Sequence, residues 1–374
     1  MTLRGATMNR RDFLKCCLSY TLPITLANLS TPLNPQRTRS DEKTPRRAFR
    51  VMDAHAHPDR LLPPGRSASW IDKSSSLEAI KALGMAASAF AAVGDQVARS
   101  QGRIKGSEFE NTLAQLEWWM KELVRPGKVK LVLKSSDIPE GSDLNRPPGA
   151  ILAIEGGDPL EGRPDRVEEF YRLGVRMITL VHYRNNELGD IMRPWRLEPG
   201  PMHHGLTPAG RKVVERMQAL GILVDMAHAH SKTLAQVAEM TAKPLIDSHT
   251  SPCALTDPGK CRRFRTWQDM ELVARTGGVI CTWPLAYEKP GLGVRKTFHD
   301  WAREIREMKT RLGMDHVGLG TDGGGHLPRL IEGYRDVRDL VHLIRAMEEI
   351  GFSTEEIGAY MGGNFFRVLS ASIG

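Results

Sequence analysis

A regular alternation of short apolar runs with longer amphipathic stretches constrains the fold of this chain more than any other feature. The runs cover residues 49–53, 85–92, 129–133, 150–154, 176–181, 222–226, 244–247, 278–282 and 316–320. Strand, helix, strand, repeated along a chain, predicts a parallel sheet with helices outside it. The expectation is an α/β fold, a (β/α)8 barrel of the TIM type, which needs eight strands. Of the nine runs, 129–133 is assigned to an accessory strand.

The intervening stretches carry helix punctuation. Thr207-Pro208 offers an N-cap and a first-turn proline, Val213, Val214, Met217 and Leu220 follow at helical spacing, and Gly221 stands at the stop. Thr266 opens another helix, which ends at Gly277. Val337, Leu340, Val341, Ile344 and Met347 line one face of a third, and Ser353-Thr354-Glu355-Glu356 predicts a capping box for the last helix.

Length and charge bound the alternatives. The 374 residues suit one large barrel or two ordinary domains, and 41% apolar residues suffice for a sizeable core. No internal apolar window reaches the roughly 18 residues of a spanning helix. The net charge of +8 comes from 52 basic and 44 acidic residues, interspersed except near the N-terminus. That pattern predicts a solvated surface and no nucleic-acid partner.

Asn9-Arg10-Arg11-Asp12-Phe13-Leu14-Lys15, followed by a weakly apolar stretch over 16–29, resembles a twin-arginine export signal. Residues 1–30 are assigned to this signal, 31–47 to a linker, and 48–374 to a single barrel domain, periplasmic or otherwise exported. Cys16 and Cys17 lie within the signal and precede most of its apolar run, which argues against a lipoprotein. Cys253 and Cys261 can pair in an oxidising compartment, but three mature cysteines are too few for a disulfide scaffold.

Chemistry enters at the ends of the apolar runs. The first ends Asp53-Ala54-His55-Ala56-His57, and others end in Glu155-Gly156-Gly157, His182, Asp225-Met226-Ala227-His228, Asp247-Ser248-His249 and Thr321-Asp322-Gly323-Gly324. In such a barrel the C-terminal strand ends and the loops after them form the active site. Packing alone would place Val or Ile there. Two histidines at i and i+2 of a strand point the same way and can meet one metal. His55, His57, Glu155, His182, His228, His249 and Asp322 therefore predict a metal site, with glycines beside them that let a substrate approach the backbone.

The motifs Ala153-Ile154-Glu155-Gly156-Gly157, Met177-Ile178-Thr179-Leu180-Val181-His182, Gly205-Leu206-Thr207-Pro208, Val224-Asp225-Met226-Ala227-His228, Asp247-Ser248-His249-Thr250-Ser251 and Gly363-Asn364-Phe365-Phe366-Arg367-Val368 together resemble the membrane (renal-type) dipeptidases, zinc peptidases of the amidohydrolase-like barrel group. The resemblance runs from about residue 51 to 369. It implies an exported dipeptidase with two zinc ions bridged by Glu155, His55 and His57 completing one shell and His228 and His249 the other. It further implies that a hydroxide held between the ions attacks the scissile carbonyl, that Asp322 shuttles the proton, and that His182 contacts the scissile carbonyl region. An arginine clamps the substrate carboxylate in the family; it falls on Arg263, with Arg262 as the alternative. A homodimer is the assembly the family implies.

Three departures stand out. His57 occupies a position where the family usually has Asp, Gly324 one where it tends to carry a second acid, and the loop over 250–263 differs. Two other readings stay open: a related activity at the same centre, hydrolysing N-acyl amino acids or lactones, and a periplasmic metal- or peptide-binding protein without catalysis.

Overall fold

The computed structural model describes residues 49–58, 72–95, 106–140, 145–192, 202–289 and 293–374. The signal and linker assigned to residues 1–47 lie outside the described residues. Eight parallel strands follow the chain in order: Met52–Ala56 (β1), Ala87–Val93 (β2), Gly149–Glu155 (β3), Val175–Thr179 (β4), Leu223–Asp225 (β5), Ile246–Thr250 (β6), Val279–Thr282 (β7) and Val317–Leu319 (β8). Each hydrogen-bonds to the next, and the accessory strand Lys130–Leu131 pairs with β3 outside that path. This is the (β/α)8 barrel that the alternation predicts.

Side-chain alternation divides the interior into two layers. Along β3, Ala150, Leu152 and Ile154 join the cluster between strands and helices, whereas Ile151 and Ala153 join the cluster inside the barrel. Ala87, Ala89 and Ala91 of β2 belong to the inner cluster as well. The last helix, Asn364–Ile373, adds Phe365, Val368 and Leu369 to it.

The seam between β1 and β8 closes without a continuous ladder. The Asp322 N–H donates to His55 O at 2.8 Å, and the His57 N–H donates to Gly323 O at 2.7 Å. Beneath them the Thr321 N–H donates to Asp53 Oδ1 at 2.8 Å, and the Thr321 hydroxyl to Asp53 Oδ2 at 2.5 Å. The barrel is thus joined at the residues singled out for chemistry.

Helix boundaries follow local chemistry. Thr207 Oγ1 accepts the Gly210 N–H at 2.9 Å at the start of the helix Pro208–Leu220, and Gly221 ends it in the left-handed region at φ 82°. Thr266 caps Trp267–Arg275 in the same way. The capping box at Ser353 opens a short helix, Thr354–Gly358, rather than the last one. The chain kinks at Gly362, where a Cβ would lie 2.6 Å from Met52 N, so only glycine lets this turn pass against the entry to β1. Among the described residues no helix is long and apolar enough to cross a membrane.

Candidate metal centre

Glu155 ends β3 inside the barrel, and five imidazoles converge on it. Its Oε1 lies 3.1 Å from His228 Nε2, 3.3 Å from His55 Nε2 and 3.6 Å from His249 Nε2, while Oε2 lies 3.5 Å from His57 Nε2. All five residues are buried. Burial alone would raise the Glu155 pKa, but the facing His182, His55 and His228 hold it well below the usual carboxylate range. Glu155 is therefore a buried anion at the mouth of the barrel.

The histidines respond unequally to its field. Burial lowers the His55 pKa, yet Glu155 more than offsets this and pushes it up to about 9. His228 and His249 are held well below the usual histidine value, by burial first and then by Arg263 and by His55 respectively. A positive charge is thus favoured beside Glu155, and neutral imidazole lone pairs stand around it.

Those features fit a divalent metal. His55 Nε2 is buried without a hydrogen-bond partner. His57 Nδ1 lies 2.7 Å from Ala91 O, and a carbonyl only accepts, so Nδ1 carries the proton and Nε2 presents its lone pair to the centre. Three groups of ligand atoms each lie within 4.8 Å of one another: His55, Glu155 and His249; His55, His57 and Asp322; Glu155, His182 and His228. Nitrogen and oxygen donors in overlapping sets suit zinc. Asp322 joins the His55–His57 group as well as standing where a proton carrier is expected, with Oδ1 3.4 Å from His57 Nε2.

Asp322 adopts φ 51°, and a Cβ at Gly325 would lie 2.1 Å from its Oδ1. Gly324, at φ 84°, leaves no room for a side chain either: a Cβ would sit 2.4 Å from His57 O. The glycine that stands where the family tends to carry a second acid is therefore packed directly on the histidine that stands where the family keeps Asp.

His182 follows β4, with Nε2 3.4 Å from Glu155 Oε1 and Nδ1 3.1 Å from Asp95 Oδ2. Burial lowers its pKa, but Glu155 and Asp95 together raise it above the usual value. Asp95 also accepts the Tyr183 N–H at 2.9 Å. It is absent from the sequence-derived set, although the rule that selects the others applies to it: Gly94-Asp95 follows the apolar β2 directly.

Of the two arginines, Arg263 is half-buried and reaches the centre, with Nη2 3.0 Å from His228 Nε2 and its guanidinium over the Tyr183 ring at 5.2 Å; Arg262 is exposed, at φ 57°. Arg263 lies between two anchors. Upstream, a disulfide joins Cys253 and Cys261. Downstream, buried Arg265 donates to Asp247 Oδ2 at 2.6 Å and to the carbonyls of Ala229 and Met226, on either side of His228.

A model of the membrane dipeptidase family, peptidase family M19, matches residues 69–372. The dipeptidase tcpJ of Claviceps purpurea is 30% identical over 222 residues, which cover 59% of this chain and 50% of that protein. The dipeptidase verJ of Clonostachys rogersoniana is 29% identical over 222 residues, covering 59% and 55% respectively. The chain spans about half the length of the curated relatives it matches. Among solved structures, a metallo peptidase from Rhodobacter sphaeroides, liganded with a phosphinate mimic of the dipeptide L-Ala-D-Ala, shares the fold with a TM-score of 0.69 at 20% identity, covering 87% of this chain and 99% of that one. An amidohydrolase from Pseudomonas aeruginosa does so with a TM-score of 0.67 at 21% identity, covering 87% and 96%.

Proposed function

The chain belongs to the membrane dipeptidase family, and on that premise we propose that it is a zinc-dependent dipeptidase acting at the centre built on Glu155. The observation that carries the reading is the convergence of five imidazole Nε2 atoms on one buried carboxylate at the C-terminal face of the barrel. His55 and His57 would hold one zinc ion, His228 and His249 the other, with Glu155 shared between them. Bound zinc supplies Lewis acidity, polarising a carbonyl and making water more acidic.

The chain's own residues supply the rest. Asp322 accepts the proton of the attacking water and passes it to the leaving amine. His182, oriented by Asp95, donates to the oxygen on which negative charge develops. Arg263 holds the substrate carboxylate, so the scissile bond lies one residue from a free C-terminus, which favours a dipeptide over a longer chain. The two carboxylates in the ligand groups, Glu155 and Asp322, do not neutralise two divalent ions. With His57 in place of an acid the centre stays net positive, which favours substrates with an additional anionic group. His57→Asp is expected to reduce the preference for acidic over neutral dipeptides, and an unchanged preference would remove His57 from specificity.

The twin-arginine segment supports export, and the resemblance supports a homodimer; detection of the mature chain in a periplasmic fraction and light scattering test these. The deciding experiment is metal analysis of the purified protein, then a panel of L,L-, L,D- and D,D-dipeptides beside N-acyl amino acids and lactones. Turnover confined to the last two classes would replace dipeptidase with the related hydrolase activity. Bound metal with no turnover of any of them would favour a binding protein.

A further inference from the structure

Beneath the histidines lies a buried polar network centred on Asp225 and Ser248. Asp225, at the end of β5, is fully buried and accepts four hydrogen bonds. Its Oδ1 takes the backbone N–H of Ala227 and of Ser248, both at 3.0 Å. Its Oδ2 takes the Thr179 hydroxyl at 2.6 Å and the Ser248 hydroxyl at 2.7 Å. Four acceptances fill the sites of an ionised carboxylate.

Ser248 has a single hydroxyl proton, and Asp225 takes it. The Ser248 oxygen keeps two lone pairs and faces two further polar atoms, His249 Nδ1 at 3.0 Å and His55 Nδ1 at 3.2 Å. With its proton committed, Ser248 can only accept from them. Both imidazoles must then carry hydrogen on Nδ1, which in the neutral rings leaves the Nε2 lone pairs facing Glu155 and, for His249, His228 Nε2 at 2.9 Å as well. Of the other histidines, His57 is oriented by Ala91 O and His182 by Asp95, whereas His228 Nδ1 is buried without a hydrogen-bond partner.

We propose that Ser248 is a positioning residue that sets the tautomer of His55 and His249 together, so that one hydroxyl prepares a ligand in each half of the centre. The consequence for metal binding rests on the zinc reading above; the tautomer assignment does not. Partners of this kind, one layer out from a metal, change affinity by roughly ten- to a hundredfold when removed. Most such partners orient one ligand, whereas this one orients two, so its loss should weaken both halves at once.

The test uses the full protein with histidine labelled by 15N, metal-free and at a pH clear above the value of about 9 to which His55 is pushed, so that its ring is neutral too. Long-range proton–nitrogen spectra are compared for the wild type, Ser248→Ala and Ser248→Thr. In the wild type His55 and His249 should both show hydrogen on Nδ1. Ser248→Ala should turn both into tautomer mixtures while His57 is unchanged, and Ser248→Thr, which keeps the hydroxyl, should restore the wild-type pattern. Zinc titration against a competing chelator should show both sites weakened in Ser248→Ala by about ten- to a hundredfold. Hydrogen on Nε2 of either histidine in the wild type overturns the proposal even if the alanine variant fails to fold. So does an alanine variant in which only one histidine, or neither, responds. A wild type with the expected tautomers that takes up no zinc would instead sink the metal reading and leave the tautomer assignment standing.

Discussion

The disulfide offers the sharpest test of how Arg263 is held. Cys253 and Cys261 are separated by 8 positions, so their bond closes a ring of nine residues. Tying such a loop removes unfolded-state entropy worth about 2.6 kcal/mol. From Cys261 only Arg262, Arg263 and Phe264 remain before Arg265, which is fixed to Asp247. Phe264 packs with both cysteines and Tyr287, so the ring is also the floor on which that short arm rests. In the double variant Cys253→Ser/Cys261→Ser the lost constraint falls either on the fold or on the placement of Arg263. If all of it falls on Arg263, KM for a substrate with a free carboxylate rises by at most about 80-fold. Because Arg265 still anchors the loops around His228 and His249, kcat should change far less. Steady-state kinetics on a dipeptide and on the matching dipeptide amide separate the effects, with thiol titration confirming the wild-type bond. KM should rise for the free acid and not for the amide. Equal changes on both substrates would refute the reasoning, since the ring would then act on the metal ligands rather than on carboxylate recognition.

Three further outcomes follow from the same structure. Asp322→Asn should retain bound metal and lose most turnover; near-normal kcat with full metal content would remove Asp322 from proton transfer. Arg265→Met leaves Asp247 buried without its partner and should cost about 3–5 kcal/mol in urea unfolding, whereas a loss below about 1 kcal/mol would mean that the pair contributes little. Asp158 is pushed up to about 6 from 3.8, by burial first and then by Asp95, with Arg184 and Asn186 opposing. A carboxyl raised in the folded state contributes stability below its unfolded pKa and loses it as pH rises through the folded one, here between about 4 and 6, for roughly 3 kcal/mol. Asp158→Asn should flatten that fall in unfolding experiments across this range; an unaltered slope would assign it to other groups.

The barrel was legible because its evidence is periodic. Every apolar run contributes a strand, and the run at 129–133 contributes the accessory one. Strand ends were less legible for a physical reason. The run at 244–247 becomes Ile246–Thr250, and that at 49–53 becomes Met52–Ala56. His55, Ser248 and His249 fall beyond the apolar runs in the sequence, yet they remain within the strands, where Ser248 donates to Asp225 on the neighbouring strand and faces both imidazoles. The carboxylate and histidines at strand ends could be read one by one. Which proton each histidine carries could not, since it depends on pairs such as His57 with Ala91 and Ser248 with Asp225 that lie far apart in sequence. That Arg263 and not Arg262 comes within 3.0 Å of His228 Nε2 is likewise something residue order does not reveal.

The seam between β1 and β8 also has a consequence in time. The residues that close it, Asp53 and Thr321, are 268 positions apart. At ordinary rates of translation, on the order of tens of seconds separate the synthesis of the first ligand pair from that of Asp322. Until β8 emerges, His55 and His57 face Glu155 without Asp322, and β1 has an open edge. Closing the cylinder and completing the set of side chains around Glu155 are therefore a single event that cannot precede the synthesis of β8. A closed seam between Asp53 and Thr321 therefore reports that synthesis has run through β8.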